Sequence, residues 1–521
     1  MKYFKIIVSL FLALFFFSCT KLDEKFRSEL ETSNTGNIKA SDLLVSAYNS
    51  IGGSFQGNGS IWSTTTITTD EAIAPTRGGD WYDNGLWQAL HAHTWNADHE
   101  FVTNGYNEML SAQFAASNVL QFSPTPQEAA EARFLRALTM YWVLDGYDQV
   151  PYREDLKDYK IVPKTLKGTE AADFIISELT AIIATLPDIG PAYRANKNAA
   201  KALLMKLYLN KGVYANRAAP TFAPPDMNKV ISLADEIINS NKYALNDNFF
   251  DNFAPDNDVK STESIYSFFN SASANRGGNI RGFAFMVSHY NMNPSGWNGF
   301  STLSDFYDKF QPTDKRIGGY YPYSAGLPNP GKRTNVGFLI GPQYNLTTDA
   351  HLNARNPATA PLSFTKAVKI NEPDPNTLEF TGVRVIKYPF DYATAGDQKN
   401  NDYIMFRLAD ILLMKAEAIL RGGSGTAAGV YGSTSLAIVN SIRAKRGATA
   451  LATLDAAALL DERGREMYWE CWRRQDLIRF GKFLQAWQEK VADVGTKNLL
   501  FPIPSSQLAV NPNLTQNPGY N

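Results

Sequence analysis

Cysteine is almost missing from this chain of 521 residues: there are two, Cys19 and Cys471. A disulfide-rich scaffold is excluded, so stability has to come from burial and polar contacts. An excess of charge is missing too. Lys and Arg total 50 against 51 Asp and Glu, and no long basic run occurs. That balance argues against nucleic acid as a partner. Beyond the first two dozen residues, no apolar run reaches the ~20 residues that a membrane-crossing helix needs. Catalytic signatures are also absent. There is no Gly-x-Ser-x-Gly elbow, phosphate-binding loop or zinc-protease helix, so no enzyme activity is expected.

What is present begins with MKYFKIIVSLFLALFFFSC. Lys2 and Lys5 precede an apolar run at residues 6–17, which is too short to span a bilayer and of the right length for a secretory signal. Ser18 followed by Cys19 resembles a bacterial lipobox. Residues 1–18 are therefore expected to be a signal peptide, Cys19 the lipidated residue, and residues 19–38 a polar tether. Asp23 and Glu24 in that tether resemble the surface-export signal of Bacteroidetes lipoproteins. Without Lys2 and Lys5 the chain has 48 basic and 51 acidic residues, a net charge of −3. Cys471 is then the one remaining thiol outside the lipidation site.

Apolar periodicity predicts helices at 129–144, 171–186, 198–210, 227–241, 403–421, 433–445 and 456–487. Small residues among large ones in these segments suit close helix packing. "LLMKLYLNKG" (203–212) resembles "LLMKAEAILRG" (412–422). Each ends in a basic residue and glycine and is followed by another helical stretch, as in stacked helix pairs. Between 244 and 400 the pattern breaks down. Gly, Asn, Pro and Ser recur every few residues, which predicts a loop-rich subdomain with short strands inserted between helix pairs.

Five motifs follow one another in order: "EARFLRALTMYWVLDGYDQVPYRE" (131–154), "FRLADILLMKAEAI" (406–419), "VNSIRAKRG" (439–447), "LDERGREMYWECWRRQDLIRFG" (460–481) and "FPIPSSQLAVNPNLTQNPGY" (501–520). Together they resemble the SusD/RagB family of nutrient-binding outer-membrane lipoproteins. The resemblance implies a mainly α fold of four tetratricopeptide-like helix pairs, with 39–521 as one domain and 244–400 as its inserted variable subdomain. It further implies a lipid-anchored protein on the outer membrane, facing the cell exterior and capping a SusC-like TonB-dependent transporter.

Those motifs are not where a ligand is expected. Glu462, Arg463, Arg465, Glu466, Arg473, Arg474 and Asp476 alternate in sign and read as a salt-bridged structural face. The prolines and asparagines of the tail are turn formers that pin an extended C-terminus. His91, His93 and His99 lie close in sequence, but they read as hydrogen-bonding loop histidines, and no metal or cofactor is expected. "DNFAPDNDVKSTE" (251–263) lacks the central glycine of a calcium loop and reads as a solvated turn. The carboxylates of Asp70-Glu71 and of Asp80 and Asp83 could serve a glycosidase only if a pair flanked one bond.

Binding residues are sought instead among rings set in loops. "TRGGDWYDNGLWQALHAHTWN" (76–96) contains three tryptophans and a tyrosine. Trp87 has helical spacing with Leu90 and reads as packing, with Trp95 beside it. Trp81 and Tyr82 are adjacent and follow Arg77-Gly78-Gly79-Asp80, so they read as an exposed loop platform. "SHYNMNPSGWNGF" (288–300) sets Tyr290 and Trp297 in a similar context, with Arg276 and Asn279 nearby in sequence. Trp81, Tyr82 and Trp297 are expected to stack side by side on sugar rings, with Arg77, Asp80, Tyr290, Arg276 and Asn279 bonding the hydroxyls. A pyranose has an apolar C–H face and a polar rim, and rings with amides, carboxylates and guanidinium groups match both. The expected function is capture of oligo- or polysaccharide for the transporter. The alternative is capture of oligopeptides for the same class of transporter.

Overall fold

Helix starts are written locally. Thr125 accepts a hydrogen bond from the Glu128 amide while the Glu128 carboxylate accepts one from the Thr125 amide, and Pro126 opens the helix. This reciprocal cap satisfies two amides that the first turn leaves unpaired. Asn196, Thr434 and Asp455 cap other helices by accepting one first-turn amide each. The computed structural model describes residues 38–520 apart from 155, 157, 159, 275–284, 324–325, 327, 395–397 and 427–428. The tether and the expected lipidation site, Cys19, lie outside the described residues.

The helical scaffold consists of α1 (Ala40–Gln56), α2 (Ile61–Thr66), α3 (Leu86–His91), α4 (Glu100–Val119), α5 (Pro126–Tyr147), α6 (Gly168–Ile182), α7 (Lys197–Ala215) and α8 (Pro224–Asn239). After the loop-rich stretch come α9 (Leu408–Leu420), α10 (Ser435–Lys445), α11 (Ala456–Met467), α12 (Arg473–Arg479) and α13 (Ser505–Val510). Each helix from α4 to α9 packs on the next, α9 also packs on α11, and α1 packs on both α4 and α5. α5 is buried along most of its length, with Glu131, Arg136 and Asp145 buried beside its apolar residues, so it carries no single apolar stripe. Phe134, Leu138, Tyr141 and Trp142 are all in the core, and Trp142 stacks on Trp472 with ring centroids 5.1 Å apart.

Two expected helices are interrupted. Residues 403–407 form strand β9 (Tyr403–Arg407), not the first turn of α9. β9 pairs antiparallel with β3 (Ser264–Phe268), and that pairing outweighs the local helical pattern. The stretch 456–487 breaks between α11 and α12, where Trp469 and Cys471 adopt positive φ values of 60° and 68°. Among the described residues the remaining strands are short. β1 (Gln149–Tyr152) pairs with β2 (Lys164–Lys167), and β4 (Gly318–Gly319), β5 (Val336–Leu339) and β8 (Arg384–Ile386) form a three-stranded sheet. β6 (Gly341–Pro342) pairs with β7 (Ser363–Phe364).

The expected salt-bridged face is an interior network. Arg407 on β9 bonds Glu263 (3.2 Å), Glu466 (2.7 Å) and Glu470 (2.8 Å), and all four side chains are buried. Arg446, at the C-cap of α10, reaches Glu263 (2.6 Å) and Glu466 (2.8 Å). Arg316 reaches Asp314, Glu462 and Glu466, and Lys387 reaches Glu470. Glu263, expected in a solvated turn, is therefore a buried anchor. A second cluster holds Asp410, Glu417 and Asp476 against Lys206, Arg463 and Arg479. These cations hold the Asp476 carboxyl down at about 2.

Glu71 is the exception. Its carboxylate is buried and neither oxygen has a hydrogen-bond partner among the described residues. The neighbouring Asp70 takes Arg473 in a two-pronged contact of 2.6 and 2.7 Å. Burial therefore holds the Glu71 proton on, pushing its pKa well above the usual carboxylate range.

Two outcomes follow from these contacts. Arg407→Met removes the cation that Glu263, Glu466 and Glu470 share, and should cost about 3–5 kcal/mol by denaturant unfolding. Asp308→Asn, which breaks the exposed pair with Lys366, should cost under about 1 kcal/mol; equal losses would sink the distinction. For Glu71, the folded state retains a proton that the unfolded chain sheds above about pH 4.3. Stability should therefore fall as pH rises from there toward the raised folded pKa. Glu71→Gln should remove that slope, raising the melting temperature more at pH 8 than at pH 5. An equal gain at both pH values would show that the carboxyl is not held protonated.

Candidate functional site

Four loops meet on one part of the molecule: residues 76–85, 288–300, 351–357 and 374–382. Their meeting is organised from below. The Arg77 side chain is buried and donates to the carbonyls of Gly299 (2.9 Å) and Thr381 (3.0 Å), to the carbonyl of Leu378, and to the Ser301 hydroxyl (2.7 Å). Arg384, also buried, donates to Ser301, Gly382, Asn298 and Glu379. Desolvation pulls the Arg77 pKa down to about 9, and Tyr290 and Glu379 offset it only in part. The expectation that Arg77 meets a ligand is corrected: its donors are used in joining three loops.

Trp81 is likewise not part of an exposed platform. Only 8 % of it is accessible. Its ring lies against Phe300 (centroids 4.9 Å) and Trp87 (5.4 Å), and its indole N–H donates to the Trp297 carbonyl at 2.8 Å. Adjacent residues can face opposite ways here because the chain reverses repeatedly: Gly78, Trp81, Asp83, Asn84 and Gly85 all have positive φ. Gly299 makes the approach possible, since a Cβ there would sit 2.4 Å from the Trp81 ring. Trp87 is buried as expected and donates to Asp83 at 2.6 Å. Asp83 is thus engaged by a ring N–H.

Other expected residues do reach the surface. Tyr82 is 53 % exposed and Trp297 46 % exposed. They stand on loops joined by the Trp81–Trp297 hydrogen bond. Tyr290 is partly buried and donates from its hydroxyl to Asp80 at 2.5 Å. Burial, followed by the Asp80 carboxylate, pushes the Tyr290 phenol up to about 12. Arg276 and Asn279 lie outside the described residues.

Arg355 was not singled out by the sequence reading, and no signal in "HLNARNPAT" (351–359) distinguishes it from an ordinary loop arginine. Its guanidinium lies 3.7 Å from the Tyr290 ring centroid and 3.4 Å from the Asp80 carboxylate, about half exposed. A cation over an aromatic face beside a carboxylate holds all three groups in one arrangement. His289 fixes the base of that arrangement. Its Nδ1 accepts from the Asn291 amide (3.1 Å), so its Nε2–H donates to Glu379 (2.8 Å). Glu379 also accepts from the Arg355 amide at 2.5 Å. Desolvation lowers the His289 pKa to about 4, so the ring is neutral at pH 7 and keeps both bonds.

The histidines near residue 95 do not converge. His91 contacts the Gln488 carbonyl, His93 pairs with Asp493, and His99 contacts the Leu86 carbonyl. The carboxylates considered for glycoside chemistry are dispersed too: Asp70 is bound to Arg473, Glu71 is enclosed and Asp83 bonds Trp87. What the loop surface offers is exposed rings beside an organised carboxylate–guanidinium pair. That combination can cover an apolar face and bond a hydroxylated rim.

The sequence profile of the SusD family matches residues 249–520. The chain is 29 % identical to the starch-binding protein SusD of Bacteroides thetaiotaomicron over 428 residues, covering 76 % of this chain and 73 % of that one. In fold it is similar to a SusD superfamily protein from Parabacteroides distasonis, with a TM-score of 0.68, 20 % identity and coverage of 92 % and 98 %. It is also similar in fold to surface glycan-binding protein A from Bacteroides thetaiotaomicron, solved in complex with laminarihexaose: TM-score 0.66, 17 % identity, coverage 92 % and 98 %.

Proposed function

This chain belongs to the SusD family, and from that premise we propose that it binds oligo- or polysaccharide at the cell surface and passes it to a SusC-like TonB-dependent transporter. The surface formed by Tyr82, Trp297, Tyr290, Asp80 and Arg355 takes the glycan. The observation that carries this reading is the Tyr290–Asp80–Arg355 cluster held beside two exposed rings. Rings cover the C–H face of a sugar, and the carboxylate and guanidinium bond its hydroxyls with charge-assisted geometry. Relatives support the same class of ligand, since one is named for starch binding and another is solved with laminarihexaose. The role is capture without cleavage. Lipidation at Cys19 holds the protein to the outer membrane, with acyl chains contributing about 0.8 kcal/mol per buried CH₂.

Calorimetry on a glycan panel, run beside thermal melting, tests the surface. Tyr82→Ala and Trp297→Ala should each lose about 2 kcal/mol of binding, roughly 30-fold in affinity, with an unchanged melting temperature. Trp81→Ala should instead lower stability by about 3–5 kcal/mol, because it empties a core site. The recovered glycan should be intact by chromatography. Normal binding by both exposed-ring variants, or shortened product, would overturn the reading. Cys19→Ala should leave the protein soluble after fractionation; its retention in membranes after a high-salt wash would remove the anchor.

A further inference from the structure

The loop that presents Tyr290 and Trp297 has a second flank. The Phe285 ring lies 6.3 Å from that of Trp297, and Phe285 and Pro294 form one wall of a depression of 160 Å³. Phe390, Asp391 and Tyr392 also line it. Asp391 and Tyr392 also line a larger cavity of 390 Å³, together with Tyr323, Lys260 and Asn400. The Tyr392 hydroxyl donates to the Asn293 carbonyl at 3.3 Å. This ring therefore stands directly beside the loop that carries the proposed binding surface.

The cavity has the chemistry of that surface. Tyr323 and Tyr392 cross at 89° with centroids 5.2 Å apart, and Tyr321 lies 5.4 Å from Tyr323. Crossed rings offer apolar faces in two directions. The Tyr323 hydroxyl is enclosed, so it is the ring of Tyr323 that lines the cavity. Charges in the cavity are already compensated. Lys260 pairs with Asp256 at 3.1 Å, and Asp391 accepts from the amides of Ala393 and Asn400 and from the Asn400 side chain. Among the described residues that line this cavity, Lys260 is the one cation and it is paired, so rings and hydroxyl partners suit a neutral sugar better than an acidic one.

We propose that this aromatic cavity is a second glycan subsite, filled by sugar units of the same chain that crosses the Tyr82–Trp297 surface. The ligand is then a neutral oligosaccharide long enough to pass over Pro294 and reach Tyr392. The inference rests on the glycan reading given above, and adds length and charge selection to it.

Calorimetry with maltooligosaccharides and laminarioligosaccharides, from disaccharide to octasaccharide, separates the two. The expected result is an affinity that keeps rising beyond the tetrasaccharide. Tyr392→Ala should lower octasaccharide affinity about tenfold, the equivalent of about 1.4 kcal/mol, and leave trisaccharide affinity unchanged. Ala393→Arg, at an exposed position on the cavity rim, should do the same and keeps the test valid if Tyr392→Ala melts early. Tyr82→Ala should weaken both lengths. If both cavity variants hold the octasaccharide as well as the parent does while Tyr82→Ala does not, the second subsite is wrong and the first surface stands. An affinity that stops rising at the trisaccharide also overturns it. If no oligosaccharide in either series binds, the glycan reading falls, and the subsite with it.

Discussion

A buried Arg–Glu network holds the loop-rich part of this protein to its helices. Arg407, Arg446 and Arg316 converge on Glu466 from a strand, a helix C-cap and the inserted loops. Separating such charges from water is costly, and the cost is offset only when every partner is in place. The network is thus close to all-or-none. It leaves little freedom in how β3, β9 and the turn before α12 sit against α10 and α11. A layer of leucines would fill the same volume but would tolerate sliding.

From that frame the constraint passes to the loops in smaller steps. Lys387 joins the network to β8, which ends one residue earlier, and Arg384 on the same strand gathers Ser301, Gly382 and Asn298. Arg77 does the equivalent for the loop that carries Trp81 and Tyr82. His289 and Glu379 then set the backbone at Asn291 and Arg355. Each step uses side chains to satisfy loop backbone groups that have no ladder of their own. The outcome is a rigid base under exposed rings, so that little ordering remains to be done when a ligand binds.

The division of labour between neighbouring rings follows from the same base. Trp81 lies beneath and Tyr82 above, with Trp297 contributing its carbonyl to the one and its own ring to the surface. Adjacency in "DWYD" correctly excluded a shared core face for Trp81 and Tyr82. It did not say which ring would turn inward, because that choice depends on positive φ angles and on the space above Gly299. Arg77 and Arg355 are both loop arginines with nothing local to separate them, and contacts made hundreds of residues away in one case sent it to the core. The charged run around Glu466 was legible as structural but not as buried, since alternation in sign fits a solvated helix face equally well.

By itself the sequence determined the helical class, the approximate positions of α5 to α11, the loop-rich character of 244–400 and the family, but not α1 or α4. All of these depend on short-range periodicity or on motifs whose residues are close in the chain. The tertiary structure alone decided that 403–407 is a strand, that 456–487 breaks at Trp469 and Cys471, that Glu263 is buried, and which rings face solvent. Those outcomes depend on partners far off in sequence, such as β3 for β9, Glu466 for Arg407 and Phe300 for Trp81. Long-range pairing and burial outweigh local preference because each can be worth several times the few tenths of a kcal/mol that separate residue propensities.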